Sequence, residues 1–434
     1  MVGWVVWFAS IIAAVLYALG LAGYALFAVG QVWELRAGAA PEWVTGHAMT
    51  LALAVAATGF YGIGLYRKAA GVGQWATVVK VIVFAVLIAG GLWALVSQRP
   101  DAWAPGLTPF FPGGTLGLVQ AMGYTFIALQ GFDLIAAVGG EVRDPQRTVP
   151  KAMLISLGLA LAIYLPLLFV IATVGVGAGG SITEMSQADP ATVVALAARN
   201  YLGELGFWMV LVAAILSMVS ALQANLLAAS RVAVTMARDR TLPGSLRGLH
   251  ERWGTPGRAV VATVLLVTLI LLVVPDVAAA GAVSSLIFLL SFALTHATNY
   301  LTQRRGGVAQ AVFKVPWFPL VPIVGGLACI ALAVFQGVAV PAAGVIAAVW
   351  LAVGLGVYVL GLRQRADIWD ASTEARDPDL VRLRGRSPLV LVPVAKPASA
   401  AAMVEVANVL APPRVGRVLL LFIVQPPETS RRGD

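Results

Sequence analysis

The sequence is poor in charged residues, in histidine and in cysteine. Of its 434 residues, 11% are Asp, Glu, Lys or Arg, and the chain has 3 histidines and 1 cysteine. Soluble globular chains carry about 25% charged residues, so too few polar side chains are present here to cover a water-facing surface. The scarcity of charge excludes a soluble globular protein.

The rare reactive residues also exclude several kinds of site. Cys329 stands alone in an apolar stretch, which excludes a disulfide scaffold, a cysteine zinc site and a CxxC redox pair. An intramembrane enzyme needs paired acids, a histidine-rich metal cluster or a Ser/His pair on neighbouring helices. The three histidines are far apart in the sequence. We therefore expect no catalytic residue, no metal and no cofactor.

Long apolar segments dominate the chain. Hydrophobic residues make up 60% of it, and its mean hydropathy is +0.89. A helix needs about 20 apolar residues to cross the hydrocarbon core of a bilayer. The sequence predicts an all-α polytopic membrane protein whose membrane domain, residues 1–364, has ten transmembrane helices. They are expected at 3–30, 43–66, 75–97, 115–139, 151–176, 206–237, 258–275, 281–302, 316–338 and 340–363.

The basic residues predict how the chain lies in the membrane. The loops on one side of the predicted spans carry fourteen Lys or Arg, whereas the other side has only Arg36, Arg99 and Arg199. By the positive-inside rule, the basic side and both chain termini are cytoplasmic. The net charge of +9 then reflects topology and a basic tail, and the expected partner is the lipid bilayer of the inner (plasma) membrane. No pattern typical of nucleic-acid binding is present.

The C-terminal region differs in composition from the membrane domain. Residues 365–386 read as a charged cytoplasmic linker, and 387–434 as a strand, a helix and a strand. That order begins a parallel α/β domain and resembles the first βαβ unit of a universal-stress-protein domain, incomplete at this length. The alternative is a cytoplasmic tail with incidental strand propensity.

Ionisable residues inside the predicted spans are candidates for function because their burial in lipid is costly. Asp133 follows Gln130, Gly131 and Phe132 in mid-span. Glycine weakens a helix by about 1 kcal/mol relative to alanine, and an interrupted helix frees backbone groups that can bind a ligand. The alternative is a close helix crossing at Gly131, with Asp133 paired to a neighbour.

Two motifs resemble those of the amino acid–polyamine–organocation (APC) permeases. The segment Gly131-Phe-Asp, followed at 140–150 by Gly-Glu-Val-Arg-Asp-Pro-Gln-Arg-Thr-Val-Pro, is similar to the sixth helix and following loop of that family. The segment at 220–243, from Ser-Ala-Leu-Gln-Ala-Asn to Arg-Asp-Arg-Thr-Leu-Pro, is similar to its eighth helix and loop.

The resemblance implies a fold with two inverted five-helix repeats, of which the ten spans are helices three to twelve. It implies a secondary active transporter of amino acids or related amines that works by alternating access, coupled to protons or by exchange. The missing first two helices, and the lack of a basic anchor before the first span, lead us to expect an N-terminally truncated chain. The alternatives are a membrane sensor on the same fold, or an inactive fragment.

The resemblance also implies roles for individual residues. The substrate is expected against Ile127, Ala128, Gln130, Gly131 and Phe132, with Asp133 capping the second half-helix or paired within the bundle. A cytoplasmic set is expected to form gate-side ion pairs or to be solvated loop charges: Glu141, Arg143, Arg147, Arg231, Arg238 and Asp239.

Lys80 has two interpretations. It lies about 8 Å from the start of its helix, a depth from which its long side chain can reach the headgroups. The resemblance places it instead where related transporters bind a cation, so that proton release from Lys80 couples to transport. Asn225 stands where the family's eighth helix approaches that lysine, and we expect it to be the contact.

Overall fold

The computed structural model describes residues 2–41, 44, 46–67, 74–99, 103–137, 142–177, 180–188, 192–248, 250, 252–274, 276–304, 315–362, 389–394, 405 and 417–422. The chain divides into two compact units, residues 1–363 and 364–434.

All regular secondary structure in the described part of the first unit is helical. Its helices are α1 (Val2–Ala37), α2 (His47–Tyr66), α3 (Gln74–Ser97), α4 (Gly114–Thr125), α5 (Leu134–Ala137), α6 (Pro145–Ala172), α7 (Ile182–Ala188), α8 (Val193–Arg238), α9 (Gly257–Leu271), α10 (Val277–Arg304), α11 (Leu320–Ala339) and α12 (Pro341–Val357). Short 3₁₀ turns lie at Ala104–Leu107, Phe126–Leu129 and Gly244–Arg247, and a π turn at Tyr358–Leu362 follows α12.

The helices agree with a polytopic membrane protein, with one correction to the predicted spans. Nine helical segments of the described chain are long and apolar enough to cross a membrane, with α4, its 3₁₀ turn and α5 counted as one segment. The remaining predicted span, 258–275, contains α9, which has only 15 residues. At 1.5 Å per residue it is about 22 Å long, shorter than a hydrocarbon core of about 30 Å. It ends at Leu271, and the apolar residues 272 and 273 that follow form a turn.

The core of the first unit surrounds α1. Its residues Phe8, Ile11, Ile12 and Leu19 are buried, and it packs chiefly against α8 and α10. Large apolar side chains on the outer helices are exposed, such as Trp93 on α3, at 77%, and Leu165 on α6, at 65%. An apolar exterior of this kind is stable in lipid, which solvates apolar side chains as well as a protein core does.

One end of α1 is fixed to α12 by a pair of tryptophans. The rings of Trp4 and Trp350 stack with centroids 4.5 Å apart. Each indole N–H donates to the backbone carbonyl of the other residue, at 3.0 Å from Trp4 and 3.3 Å from Trp350. Gly354 lies directly beneath the Trp4 ring. The contact joins two helices that are 346 residues apart in sequence.

The second unit contains two strands, β1 (Leu389–Val394) and β2 (Arg417–Phe422). They pair in parallel, with Leu389 opposite Arg417 and Val394 opposite Phe422. Parallel neighbours require a crossover connection. Of the predicted connecting helix, only Glu405, which is helical, lies within the described residues. The resemblance to a universal-stress-protein domain stays a prediction.

Candidate functional site

The predicted interruption in mid-span is present between α4 and α5. The α-helix ends at Thr125, a 3₁₀ turn covers Phe126–Leu129, and Gln130 is extended at φ −66° and ψ 148°. Gly131 follows at φ +126°, a conformation open to glycine but strained for residues with a Cβ. The glycine is what lets the chain leave the helix and start α5 at Leu134.

Side chains from two other helices bind the backbone that the interruption frees. The N–H of Ile127 donates to Ser285 Oγ of α10 at 3.1 Å, and the Ser285 hydroxyl donates to the Tyr124 carbonyl at 2.8 Å. The Tyr164 hydroxyl of α6 donates to the carbonyl of Ala128 at 2.9 Å. Such bonds are needed because unpaired backbone groups cost several kcal/mol in a membrane interior.

Asp133 acts on the interruption itself. Its carboxylate accepts the N–H of Gly131, with the nitrogen 2.9 Å from Oδ1. A carboxylate at this place also lies at the N-terminal end of α5, where the helix dipole favours negative charge. Asp133 therefore holds the turn on which the second half-helix begins.

Gln130 connects the interruption to α1 and α8. Its Oε1 accepts the Tyr17 hydroxyl at 3.1 Å, and its Nε2 donates to Asn225 Oδ1 at 3.2 Å. Asn225 is 1% exposed, and its Nδ2 donates to the Ala221 carbonyl at 2.8 Å. The three polar side chains form one chain of hydrogen bonds across three elements of the bundle.

The expected contact between Lys80 and Asn225 is not the one that forms. Lys80 Nζ donates to Ser220 Oγ at 3.2 Å, and the Ser220 hydroxyl donates to the Leu216 carbonyl at 2.8 Å. Ser220 and Asn225 are five residues apart, which is about 140° around a helix. They therefore lie on different faces of α8, one toward Lys80 and the other toward Gln130.

Aromatic side chains close one side of the interruption. The ring centroid of Phe292 in α10 lies 5.7 Å from that of Phe126 and 5.7 Å from that of Phe132. The two phenylalanines stand before and after the extended residues, so Phe292 spans the gap between them. Together with Ile127 they give the interruption an apolar border beside its polar backbone.

The predicted gate residues lie away from this cluster in sequence. Arg143 and Arg147, at the start of α6, are exposed, as are Arg231, Arg238 and Asp239 around the end of α8. Glu141 lies outside the described residues. The gate-side ion pairs stay a prediction.

Sequence reasoning located the interruption but missed three of its partners. Tyr17 and Tyr164 are single polar residues within apolar spans, and Ser285 is one of two adjacent serines in such a span. Residues of this kind also occur at ordinary packing positions. The available signal was the adjacent pair Ser284-Ser285 in an otherwise apolar segment.

Comparison with known proteins shows which family the chain is similar to. Residues 1–361 match the family model described as amino acid permease. The chain is 31% identical over 288 residues to an uncharacterized transporter of Mycobacterium tuberculosis, covering 66% of this chain and 60% of that protein. It is 26% identical over 280 residues to the branched-chain amino acid permease BcaP of Lactococcus lactis, covering 63% and 58%.

A plant relative is also similar. The vacuolar cationic amino acid transporter 2 of Arabidopsis thaliana is 30% identical over 206 residues, which cover 48% of this chain and 31% of that protein. The chain thus spans 60% of the length of its mycobacterial relative and less of these other two. These three relatives are named as transporters or as a permease. With its broken transmembrane helix and its match over residues 1–361, the chain belongs to the amino acid permease family, a family of multi-pass membrane transporters.

Proposed function

We propose that the protein is a secondary active transporter that moves amino acids or related amines across the inner membrane by alternating access. The observation that carries the proposal is the interruption at 126–133, in a helix long enough to cross the membrane. Half-helix ends and freed backbone groups at mid-membrane are the usual means of holding an ionic substrate there.

The substrate's carboxylate and amino groups would bind the backbone between Ile127 and Gly131. Ser285 and Tyr164 occupy backbone groups of this segment, and a substrate would replace one or both hydroxyls as it enters. Ile127, Phe126 and Phe132 border the same segment and favour an apolar substrate side chain. The name of the Lactococcus lactis relative, a branched-chain amino acid permease, supports this choice.

Lys80 would couple transport to protons or take the place of a coupling ion in an exchanger. Its contact with Ser220, at 3.2 Å, joins α3 to α8. Loss of the proton would remove the charge-assisted hydrogen bond, which is stronger than a neutral one. The relative position of α3 and α8 would then depend on protonation.

The proposal also includes an orientation of the chain in the membrane and an internal symmetry of its helices. The bias of basic residues to one set of loops supports a cytoplasmic location for Arg143, Arg147, Arg238 and their neighbours. The resemblance to the APC permeases supports two inverted five-helix repeats. The universal-stress-protein-like region 387–434 would then lie in the cytoplasm.

Uptake into proteoliposomes tests the function. The purified protein would be reconstituted, and uptake of labelled leucine, lysine and glutamate measured with and without an inward proton gradient. We expect uptake of leucine to exceed that of the charged amino acids. Thermal stabilisation by leucine without any uptake would favour the sensor alternative. The absence of both uptake and stabilisation with every amino acid tested would overturn the proposal.

A further inference from the structure

A cavity outside the interrupted helix lies where the end of α2 meets the start of α9. Its volume is about 720 Å³, and it is open to the outside. The residues that line it are Tyr66, Gly248, His250, Gly257, Arg258, Val261, Ala262 and Leu265. These residues are distinct from those proposed to bind the substrate or to couple its transport.

The polar wall of this cavity is held in place by hydrogen bonds. The Thr255 hydroxyl donates to the carbonyl of Tyr66 at 2.7 Å, and the N–H of His250 donates to the carbonyl of Thr255 at 2.7 Å. The Tyr66 and His250 rings meet edge to face with centroids 5.3 Å apart. The loop before α9 is therefore fixed to the end of α2, and the cavity is preformed.

The wall offers a positive charge and hydrogen-bond donors. Arg258 lines the cavity with an exposed side chain. Nδ1 of His250 accepts the N–H of Arg252 at 3.3 Å, so Nε2 is the nitrogen that carries a proton in the neutral ring. The described lining residues include no Asp or Glu. A guanidinium and an imidazole N–H favour an anion such as a phosphate.

An apolar strip continues from the cavity along α9. Val261, Leu265, Leu269 and Leu272 are exposed by 47%, 64%, 58% and 63%. Their spacing places them on one face of the helix. A free phosphate ion would make no favourable contact with this strip, whereas the acyl chain of a phospholipid would cover it.

Arg258 stands at the end of an apolar helix, as the second residue of α9. The ends of apolar helices in a bilayer lie near the headgroups, where a basic side chain attracts anionic lipid.

We propose that this cavity binds the headgroup of an anionic phospholipid, with the phosphate at Arg258 and His250 and one acyl chain along Val261, Leu265 and Leu269. The proposal does not depend on the transport function. It predicts a defined lipid site that prefers phosphatidylglycerol to phosphatidylcholine.

Retention of lipid measured by native mass spectrometry tests the site. The protein in a neutral detergent would be incubated with equimolar phosphatidylglycerol and phosphatidylcholine, and the bound copies counted. We expect retained phosphatidylglycerol in the unaltered protein and about fivefold weaker binding in Arg258→Gln, since one basic residue near the surface contributes about that factor. Leu265→Asn should weaken binding without altering the charge.

The matched control is Arg252→Gln. Arg252 is an exposed arginine of the same loop, stacked over Trp253 at 5.0 Å, and it does not line the cavity. Equal loss of phosphatidylglycerol in Arg258→Gln and Arg252→Gln would overturn the proposal, as would equal retention of the two lipids by the unaltered protein. Melting curves with inorganic phosphate form a further arm. Stabilisation by phosphate equal to that by phosphatidylglycerol would indicate an anion site and not a lipid site.

Discussion

The amide of Gln130 donates a hydrogen bond to the buried Asn225 at 3.2 Å and so joins the interrupted helix to α8. Both residues are polar, and both lie within apolar spans. The bond therefore stands in for water that a membrane interior does not supply.

Removing either amide should lower the stability of the bundle, and the effects of the two removals should not be additive. We expect Gln130→Leu and Asn225→Leu each to destabilise the protein, because each leaves the other amide without this partner. The coupling energy from the double variant should be about 1 kcal/mol, within the range measured for interhelical hydrogen bonds in membranes. Equilibrium unfolding in mixed micelles measures it. A coupling near zero would show that the two amides are bonded independently.

Gly131→Ala should destabilise the protein through its backbone. The residue has φ +126°, and an added Cβ would meet nothing within 4 Å, so the cost is conformational, at about 1–3 kcal/mol. The control is Gly158→Ala in α6, where space is also open and φ is not positive. There we expect a gain of up to about 1 kcal/mol from helix propensity. Equal thermal shifts in the two variants would contradict the argument.

Lys80→Met should remove the dependence of uptake on a proton gradient. The change keeps an unbranched side chain of similar length but cannot donate to Ser220, now 3.2 Å from Nζ. Proteoliposome uptake at several external pH values measures the effect. Lys151→Met, at an exposed position in the first turns of α6, is the control and should keep the gradient dependence. Uptake that still follows the gradient in Lys80→Met would exclude Lys80 as the coupling group.

Gly354→Ala should weaken the contact between α1 and α12. A Cβ at this position overlaps the indole of Trp4, so the rigid ring must shift from its present stacked position against Trp350. Overpacking of this kind costs about 1–3 kcal/mol. Gly356→Ala, two residues on with nothing within 4 Å, is the matched control and should leave the melting temperature unchanged or raised. A shift of equal size in both variants would argue against the ring contact.

How far the sequence predicts this structure differs from feature to feature. The interruption at Gly131 was predictable because the residues that break the helix, a glycine, a glutamine and an aspartate, lie within the interrupted segment itself. The turn between α11 and α12 was predictable for the same reason, since Gly337 and Pro341 stand beside it.

Partners between helices were not predictable to the same degree. Whether Ser220 or Asn225 meets Lys80 depends on the rotation of α8, and a few residues of motif do not fix that rotation. The early end of α9 was also not predicted. Residues 272–274 are apolar, and hydropathy does not indicate whether an apolar segment is helical. Tyr17 and Tyr164 gained their roles only through the packing of distant spans.

Ser285 has a consequence for how the bundle can move. Its one hydroxyl both accepts from Ile127 and donates to Tyr124, so it bonds the two sides of the point where α4 ends. A hinge at that point can open only if at least one of these bonds stretches or breaks, since both are made by a single oxygen atom carried by α10. The end of α4, the 3₁₀ turn and the first half of α10 therefore form one mechanical unit. An arriving ligand that offers an alternative partner to Ile127 would release the 3₁₀ turn, while Tyr124 of α4 stays bonded to α10.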